Sequence, residues 1–363
     1  MKTRYYGIDF LRIFCMFMIV ILHLLGFGGI LDNTIPFSAS YWSAWFLEIF
    51  CYCAVNCFAL ISGYVMLNSH IQLSKLLELW IQVAFYSIFI TAIVFVFSPD
   101  TIAFSNIINS ILPVTRNQYW YISSYFGMSI LVPLLNLAIK HIDKKTFAKI
   151  LAACFFFGCV LSPISKDPYL LNAGYSTAWL SILYLTGAFI KKYDIIHKCR
   201  KRTASILFFS SIMITFLSKM ILEYAFRHLS LQELSGNVFV SYTSPTIIIS
   251  AISLFIFCLK LKFNTTGTKM ISLFAPTALS VYLIHTHPLI VSNVLKNFLI
   301  GLIGDNFVML ITKILILAFL IWFICSVIDL LRIKLFKLLK IKEFCCYINH
   351  FFTSYNPQWI SKF

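Results

Sequence analysis

The sequence predicts an all-α, polytopic membrane helix bundle of about ten transmembrane helices, with N and C termini both cytoplasmic. Three observations predict it. The first is composition: of 363 residues, 60% are hydrophobic and only 12% charged, and the mean hydropathy is +0.88. Soluble domains carry about a quarter charged residues, so this chain lacks the polar surface a water-facing globule needs. The second is the spacing of apolar runs, near 10–29, 44–68, 76–98, 119–139, 148–164, 177–190, 203–223, 244–259, 272–294 and 307–330. Several depart from the roughly 20 residues of a straight crossing, so their ends are soft. The third is where the charge sits. The net charge is +16, but its lysines and arginines fall in alternate loops.

With a cytoplasmic N-terminus, the inner loops hold Lys75, then Lys140, Lys144, Lys145 and Lys149. Next come Lys191, Lys192, Lys198, Arg200, Lys201 and Arg202, then Lys260, Lys262 and Lys269. The tail adds Arg332, Lys334, Lys337, Lys340 and Lys342, whereas the outer loops offer little beyond Arg116, Lys166, Arg227 and Lys296. This positive-inside asymmetry accounts for the basic balance without a nucleic-acid partner.

Residues 1–330 read as the bundle and 331–363 as a basic interfacial tail, in which Leu331–Phe344 alternates apolar residues with lysine and lies on the inner leaflet. Lys2 and Arg4 ahead of an apolar run imitate a signal peptide. Asp9, Arg12 and His23 interrupt that run and no small-residue cleavage site follows, so it is read as a retained first helix. The eleven cysteines lie mostly in apolar runs without paired CxxC spacing; Cys51 and Cys53 have no partner pair. They are read as packing residues, and no metal site is expected. Two outer loops, 99–118 with Pro99, Pro113 and Arg116, and 224–243 with Arg227, His228, Glu233 and Tyr242, are long enough to cap a site.

An ionisable side chain at bilayer depth costs roughly 2.5–3.5 kcal/mol on insertion scales, so each one raises a functional question. The first helix carries three. Asp9 and Arg12 are three residues apart and can pair on one face. Arg12 and His23 return to nearly the same face, about 16 Å apart along the axis. One wall therefore presents a cation near the cytosol and an imidazole deeper in. A long anionic donor such as acyl-CoA, with phosphates at one end and a thioester on a thin arm, matches that wall. Thioester-to-hydroxyl transfer needs a base and an oxyanion partner, and a neutral imidazole is suited to the first. The competing reading makes Arg12 a snorkelling anchor and His23 a packing residue.

The text around these residues resembles the acyltransferase type 3 family of membrane proteins. Gly7-Ile8-Asp9-Phe10-Leu11-Arg12 through His23 is similar to the family's opening, and Phe58 to Tyr64, ending Ser-Gly-Tyr, to the close of its second helix. Tyr119-Trp120-Tyr121, with Tyr125 and Pro133 through Asn136, resembles its fourth helix; Tyr282-Leu283-Ile284-His285 with Pro288 resembles its late Tyr-Leu-x-His helix. The likeness spans residues 7–288 and is nearest to polysaccharide O-acetyltransferases of bacterial surface-glycan pathways. It implies a multi-pass protein of the bacterial cytoplasmic membrane, with acetyl-CoA as donor and a carbohydrate, free or lipid-linked, as acceptor. It assigns His23 as the catalytic residue with Arg12 as its partner, and sets Trp120, Tyr121, Tyr282 and His285 near the substrates. His287 has no family match and points away from His285, so it is read as structural.

Two departures stand out. Family members often place several arginines after the Ser-Gly-Tyr; here Lys75 follows a neutral stretch from Asn68 to Ser74, and the 191–202 run is the possible substitute. Ala278 stands where the late helix usually has serine, with Thr277 and Ser280 nearby. Glu48 is a reading from the residues alone. It lies at a depth close to His23, where it could orient the imidazole, bind sugar hydroxyls or simply reach interfacial water. Tyr41, Trp42 and Trp45 beside it fit an aromatic belt or a sugar platform. Rival functions are a glycan or lipid transporter with Arg12, Glu48 and His285 lining a path, or a glycan polymerase. The first predicts Gly/Pro-interrupted helices in matching halves, the second an Arg-rich outer loop; neither is found in the sequence.

Overall fold

The computed structural model describes residues 4–67, 73–161, 167, 169–229 and 236–354. Lys166 and Glu233, and Asn68 to Gln72 of the neutral stretch, lie outside the described residues. Among those described, every regular element is helical. The longer helices are α1 Tyr6–Gly26, α2 Ala39–Cys51, α3 Ala54–Met66, α4 Leu73–Phe97, α5 Phe104–Ile111, α6 Trp120–His141 and α7 Lys144–Phe155. They continue as α8 Thr177–Lys192, α9 Lys201–His228, α10 Pro245–Leu259, α11 Thr265–Phe274, α12 Ala278–His285, α13 Phe307–Leu338 and α14 Ile341–Ser354. Backbone polar groups have no water to bond in hydrocarbon, so a chain this apolar closes its hydrogen bonds within helices.

Seven helical spans among the described residues are long and apolar enough to cross a membrane. They are Tyr6–Asn33, Ala39–Met66, Leu73–Phe97, Trp120–His141, Lys201–His228, Thr265–His285 and Phe307–Leu338. Three other apolar stretches form shorter helices, α7, α8 and α10, of 12, 16 and 15 residues. The expected stretch 272–294 is shifted: its helix starts at Thr265 and ends at His285, because His287 and Pro288 open a new turn. The basic tail falls on two helices. Nothing between Leu331 and Leu338 breaks a helix, so α13 continues through them; the chain turns at Lys340 (φ 51°), and α14 packs back on α4.

Burial separates the centre from the rim. In the spans starting at Tyr6 and Ala39, 67% and 72% of the apolar window is buried, against 28% for α9 and for α13. The first two are therefore the middle of the bundle, and α1 packs against α2, α3 and α10 to α13. Exposed Phe209, Ile221, Ile316, Phe319 and Val308 on α9 and α13 form the lipid-facing rim. Between α3 and α8 the backbones touch: a Cβ on Gly63 would strike the Tyr184 carbonyl, and one on Gly187 the Leu60 carbonyl. Small residues permit this approach where helix association rests on van der Waals packing.

Two spans are interrupted. The span 39–66 breaks at Tyr52 and Cys53, with neither Gly nor Pro there, and the span 265–285 passes through a tight turn at Ala275–Thr277 around Pro276. The first break leaves no signature in the sequence, which is why reading Gly and Pro alone missed it.

Two buried ions lie in closed networks. Lys219 donates to the Tyr41 hydroxyl (3.1 Å), Glu223 (2.9 Å) and Asn237 (2.8 Å), and its ammonium sits 3.8 Å from the Trp45 ring centre. Asp329 takes a bidentate pair from Arg332 (2.8 and 2.9 Å) and a hydrogen bond from Tyr86 (2.7 Å). Charges so fully partnered hold helices together.

Candidate active site

A cavity of about 720 Å3 runs through the centre of the bundle. Its first wall is α1. Arg12, Met16, Ile19, His23 and Phe27 line it, following the three-to-four-residue recurrence of one helix face. Arg12 and His23 are thus joined by one continuous space. Lys75 and Leu79 of α4, Ser62 of α3 and the Ala275–Pro276 turn line the cavity too, with Phe58, Tyr121, Tyr125 and Tyr282 further along. Glu48, Tyr52, Trp120, Tyr175 and Tyr242 complete the lining.

The segment around Arg12 is a basic end. Asp9 accepts from Arg12 (3.1 Å) and from Arg4 (2.7 Å), as the i,i+3 spacing anticipates for the first pair. Asp9 does not line the cavity; it holds the Arg12 guanidinium, which does. Lys75 is exposed beside the same space. The 191–202 run does not replace the missing arginines there, since none of its residues lines the cavity. Lys192 instead donates to the Ile139 and Ile142 carbonyls (2.5 and 2.8 Å) at the end of α6, satisfying groups a helix terminus leaves open. Lys191 lies 5.3 Å over the Tyr64 ring, and Lys201 5.0 Å over Phe257.

At the other end of the α1 wall, two imidazoles meet. His23 Nδ1 and His285 Nε2 are 2.8 Å apart, and His285 Nδ1 lies 2.5 Å from the Val281 carbonyl. A carbonyl oxygen only accepts, so the proton of His285 is on Nδ1. With both rings neutral, His285 Nε2 is then an acceptor, and His23 must donate from Nδ1. That leaves His23 Nε2 with a free lone pair on a ring that lines the cavity. The tautomer follows from the hydrogen-bond chain, in the manner by which a second group orients an imidazole base. His285 is 3% exposed and absent from the cavity lining. The sequence reading placed it against substrate; the structure places it behind His23, because the face of α12 that carries it packs on α1. Tyr282 does line the cavity, its ring 6.3 Å from that of His23. His287 contacts Thr91 and the Ser87 carbonyl and caps the next turn through Leu289 N, a structural set of bonds.

Glu48 also faces this space. It is 8% exposed, and its Oε2 is buried without a hydrogen-bond partner among the described residues. Around it the aromatic rings come from separate helix starts. Trp120 opens α6, Tyr175 precedes the Ser176 cap of α8, and Tyr242 precedes the Ser244 cap of α10. Tyr52 enters from the α2–α3 break. Asn56 fixes Tyr242 by donating to its carbonyl (2.9 Å) while accepting from Trp179 Nε1 (3.2 Å). Gly174, at φ +100°, turns the chain so closely past Tyr242 that a side chain there would collide with it.

The sequence reading missed Tyr52 and Tyr175 altogether and named Tyr242 only as a loop residue. Conversely, Tyr41, Trp42 and Trp45 do not line the cavity; Tyr41 and Trp45 enclose Lys219 instead. No three His, Cys, Asp or Glu among the described residues come close enough to hold a metal ion.

A multi-pass helical membrane protein with a cavity among its helices, a basic end and an imidazole nitrogen facing that cavity defines the class. The acyltransferase-domain family profile matches residues 5–328 of the 363, so the chain belongs to the acyltransferase type 3 family and is a membrane acyltransferase. No curated protein and no solved structure matches it.

Proposed function

We propose that this protein is an O-acyltransferase of a bacterial cytoplasmic membrane. It moves an acyl group, acetyl in the simplest case, from cytosolic acyl-CoA to a carbohydrate hydroxyl of an exported or surface glycan. Both termini are then cytoplasmic, as the lysine-rich loops favour. The observation that carries the reading is the single cavity in which Arg12 and His23 share one wall, with the base nitrogen of His23 free.

In this reading Arg12, held by Asp9, and Lys75 bind the anionic nucleotide end of the donor. The apolar stretch past Met16 and Ile19 takes the pantetheine arm, and the thioester reaches His23. Trp120 and Tyr121 bound the space for the acceptor. His23 Nε2 removes the proton of the acceptor hydroxyl as its oxygen bonds to the thioester carbonyl carbon. The oxyanion accepts a hydrogen bond from the Tyr282 hydroxyl. Collapse breaks the carbon–sulfur bond, and the imidazolium returns its proton to the departing thiolate. The products are CoA thiol and an O-acyl ester.

An acyl-histidine route would leave label on the protein when [14C]acetyl-CoA is supplied without acceptor; direct transfer leaves none. The two interrupted spans give a transporter some support. Its proposed path through Arg12, Glu48 and His285 is disfavoured, since His285 stands behind His23 and outside the cavity.

The test compares membranes carrying the native chain and His23→Ala, supplied with [14C]acetyl-CoA and cell-envelope polysaccharide from a strain lacking the gene. Loss of a general base lowers the rate by about 10²–10⁴. Undiminished acetylation by His23→Ala would remove the role given to that residue.

A further inference from the structure

We infer that the aromatic chamber around Glu48 is the acceptor's sugar subsite, with Glu48 as the residue that selects which hydroxyl is acylated. The proposal rests on the acyl-transfer reading for its substrate class, and on geometry of its own for the subsite.

Three roles were open to Glu48, and the structure removes two. It is not an exposed interfacial carboxylate, because it is only 8% exposed. It is not the group that orients His23, because a neutral imidazole has a single N–H and that of His23 already points at His285 (2.8 Å). What remains is a carboxylate facing a cavity with Oε2 unpartnered. No ion pair among the described residues includes it. Buried polar atoms without partners are rare, and a buried carboxylate left bare is costly. A ligand rich in hydroxyl donors is the partner that fits.

The rings around it supply the other half of a sugar site. Trp120 and Tyr175 lie 4.4 Å apart between centroids, Tyr52 and Tyr242 4.6 Å, and Tyr175 and Tyr242 5.0 Å. All four line the cavity with Glu48. Aromatic faces carry negative potential and attract electropositive edges, and the C–H face of a pyranose is such an edge. A carboxylate accepting from neighbouring hydroxyls while aromatic faces hold the ring is a complete set of contacts for a neutral sugar.

The lining then separates the two substrates. Arg12 and Lys75 form the basic end, and the aromatic cluster joins His23 through a chain of rings: His23 to Tyr282 (6.3 Å), Tyr282 to Tyr121 (6.5 Å) and Tyr121 to Trp120 (5.6 Å). The carboxyl and the aromatic faces offer the donor's phosphates no cation, and leave neutral hydroxyls favoured. The hydroxyls clamped by Glu48 are not free to react, so the one left facing His23 Nε2 becomes the acylated position.

The test uses the full chain in lipid nanodiscs, acetyl-CoA, and polysaccharide from the strain lacking the gene. Glu48→Gln keeps the shape and replaces one acceptor oxygen with an NH2 group. A sugar hydroxyl that loses its acceptor is left unsatisfied in a buried site, so KM for the polysaccharide is expected to rise about 10- to 100-fold. The KM for polysaccharide should change far more than the KM for acetyl-CoA, and the esterified position should become mixed. Tyr175→Ala, in a residue 38% exposed, gives the same pattern if Glu48→Gln fails to fold.

Failure of the function reading is separable. If the native chain transfers no acetyl, equilibrium binding of the same polysaccharide, followed by tryptophan fluorescence, decides the subsite alone. Binding by the native chain that Glu48→Gln or Tyr175→Ala weakens tenfold or more supports it. Equal binding by native and variant chains, no binding by the native chain, or an unchanged polysaccharide KM in the variants overturns it.

Discussion

His285→Phe is the perturbation that reads most directly on the His23 tautomer. Phenylalanine fills the buried space but offers no acceptor to His23 Nδ1. The catalytic tautomer then carries a buried N–H without a partner, a penalty of about 1–3 kcal/mol. The ring avoids it by moving the proton to Nε2, where it faces the cavity and is no longer a base. By the Boltzmann factor the active tautomer falls about 5- to 150-fold, and kcat falls with it. Neither the basic end nor its carboxylate is touched, so KM for acetyl-CoA should stay within about twofold. The assay is label transfer from [14C]acetyl-CoA to polysaccharide under saturating donor, with folded protein counted by size-exclusion chromatography. His285→Gln, whose amide oxygen accepts a hydrogen bond, should recover part of the loss. A native kcat in His285→Phe would refute the tautomer chain.

The remaining expectations address the basic end and the frame. Arg12→Gln should raise KM for acetyl-CoA about tenfold or more by removing a charge-assisted contact, and Lys75→Gln less, since that side chain is exposed. With acetyl-pantetheine, which lacks the nucleotide phosphates, Arg12→Gln and the native chain should have similar KM values; a persisting difference would mean that Arg12 acts elsewhere. Gly187→Leu drives a side chain into the Leu60 carbonyl and should abolish the folded, monodisperse protein in detergent, whereas native-like yield and melting would contradict the close α3–α8 contact.

Much of the site was legible along one helix. Arg12 and His23 share a face because periodicity alone sets it, and Asp9 pairs with Arg12 because three residues is close to one turn. Glu48 was legible through cost, being a carboxylate in an apolar run. The side on which His285 stands was not. Its helix was readable, but the rotation of α12 against α1 is fixed by packing that no local pattern encodes. The chamber was harder still. Tyr52, Trp120, Tyr175 and Tyr242 are far apart in the chain and meet only because the starts of α6, α8 and α10 gather near the α2–α3 break. That break has no Gly or Pro to announce it. Lys219 and Asp329 carry the opposite lesson: both are ions in apolar spans, yet Tyr41, Glu223 and Asn237 satisfy one while Arg332 and Tyr86 satisfy the other. Glu48, unlike these two, keeps a buried oxygen without a partner among the described residues, and partners, not burial, separate these cases. The helix count was blurred for a simpler reason. α7, α8 and α10 fall short of a full crossing, so among the described residues seven helical spans are long and apolar enough to cross where apolar runs gave about ten.

The central claim is that the donor lies along α1 with its phosphates at Arg12 and its reactive end at His23. A cryo-EM structure of the full chain in nanodiscs, with a non-hydrolysable thioether analogue of acetyl-CoA, tests it. Phosphate density beside Arg12 and Lys75, continuous with an arm that ends next to His23 Nε2, is the expected result. Density for the analogue bound anywhere else, with the space between Arg12 and His23 holding only lipid, would contradict it.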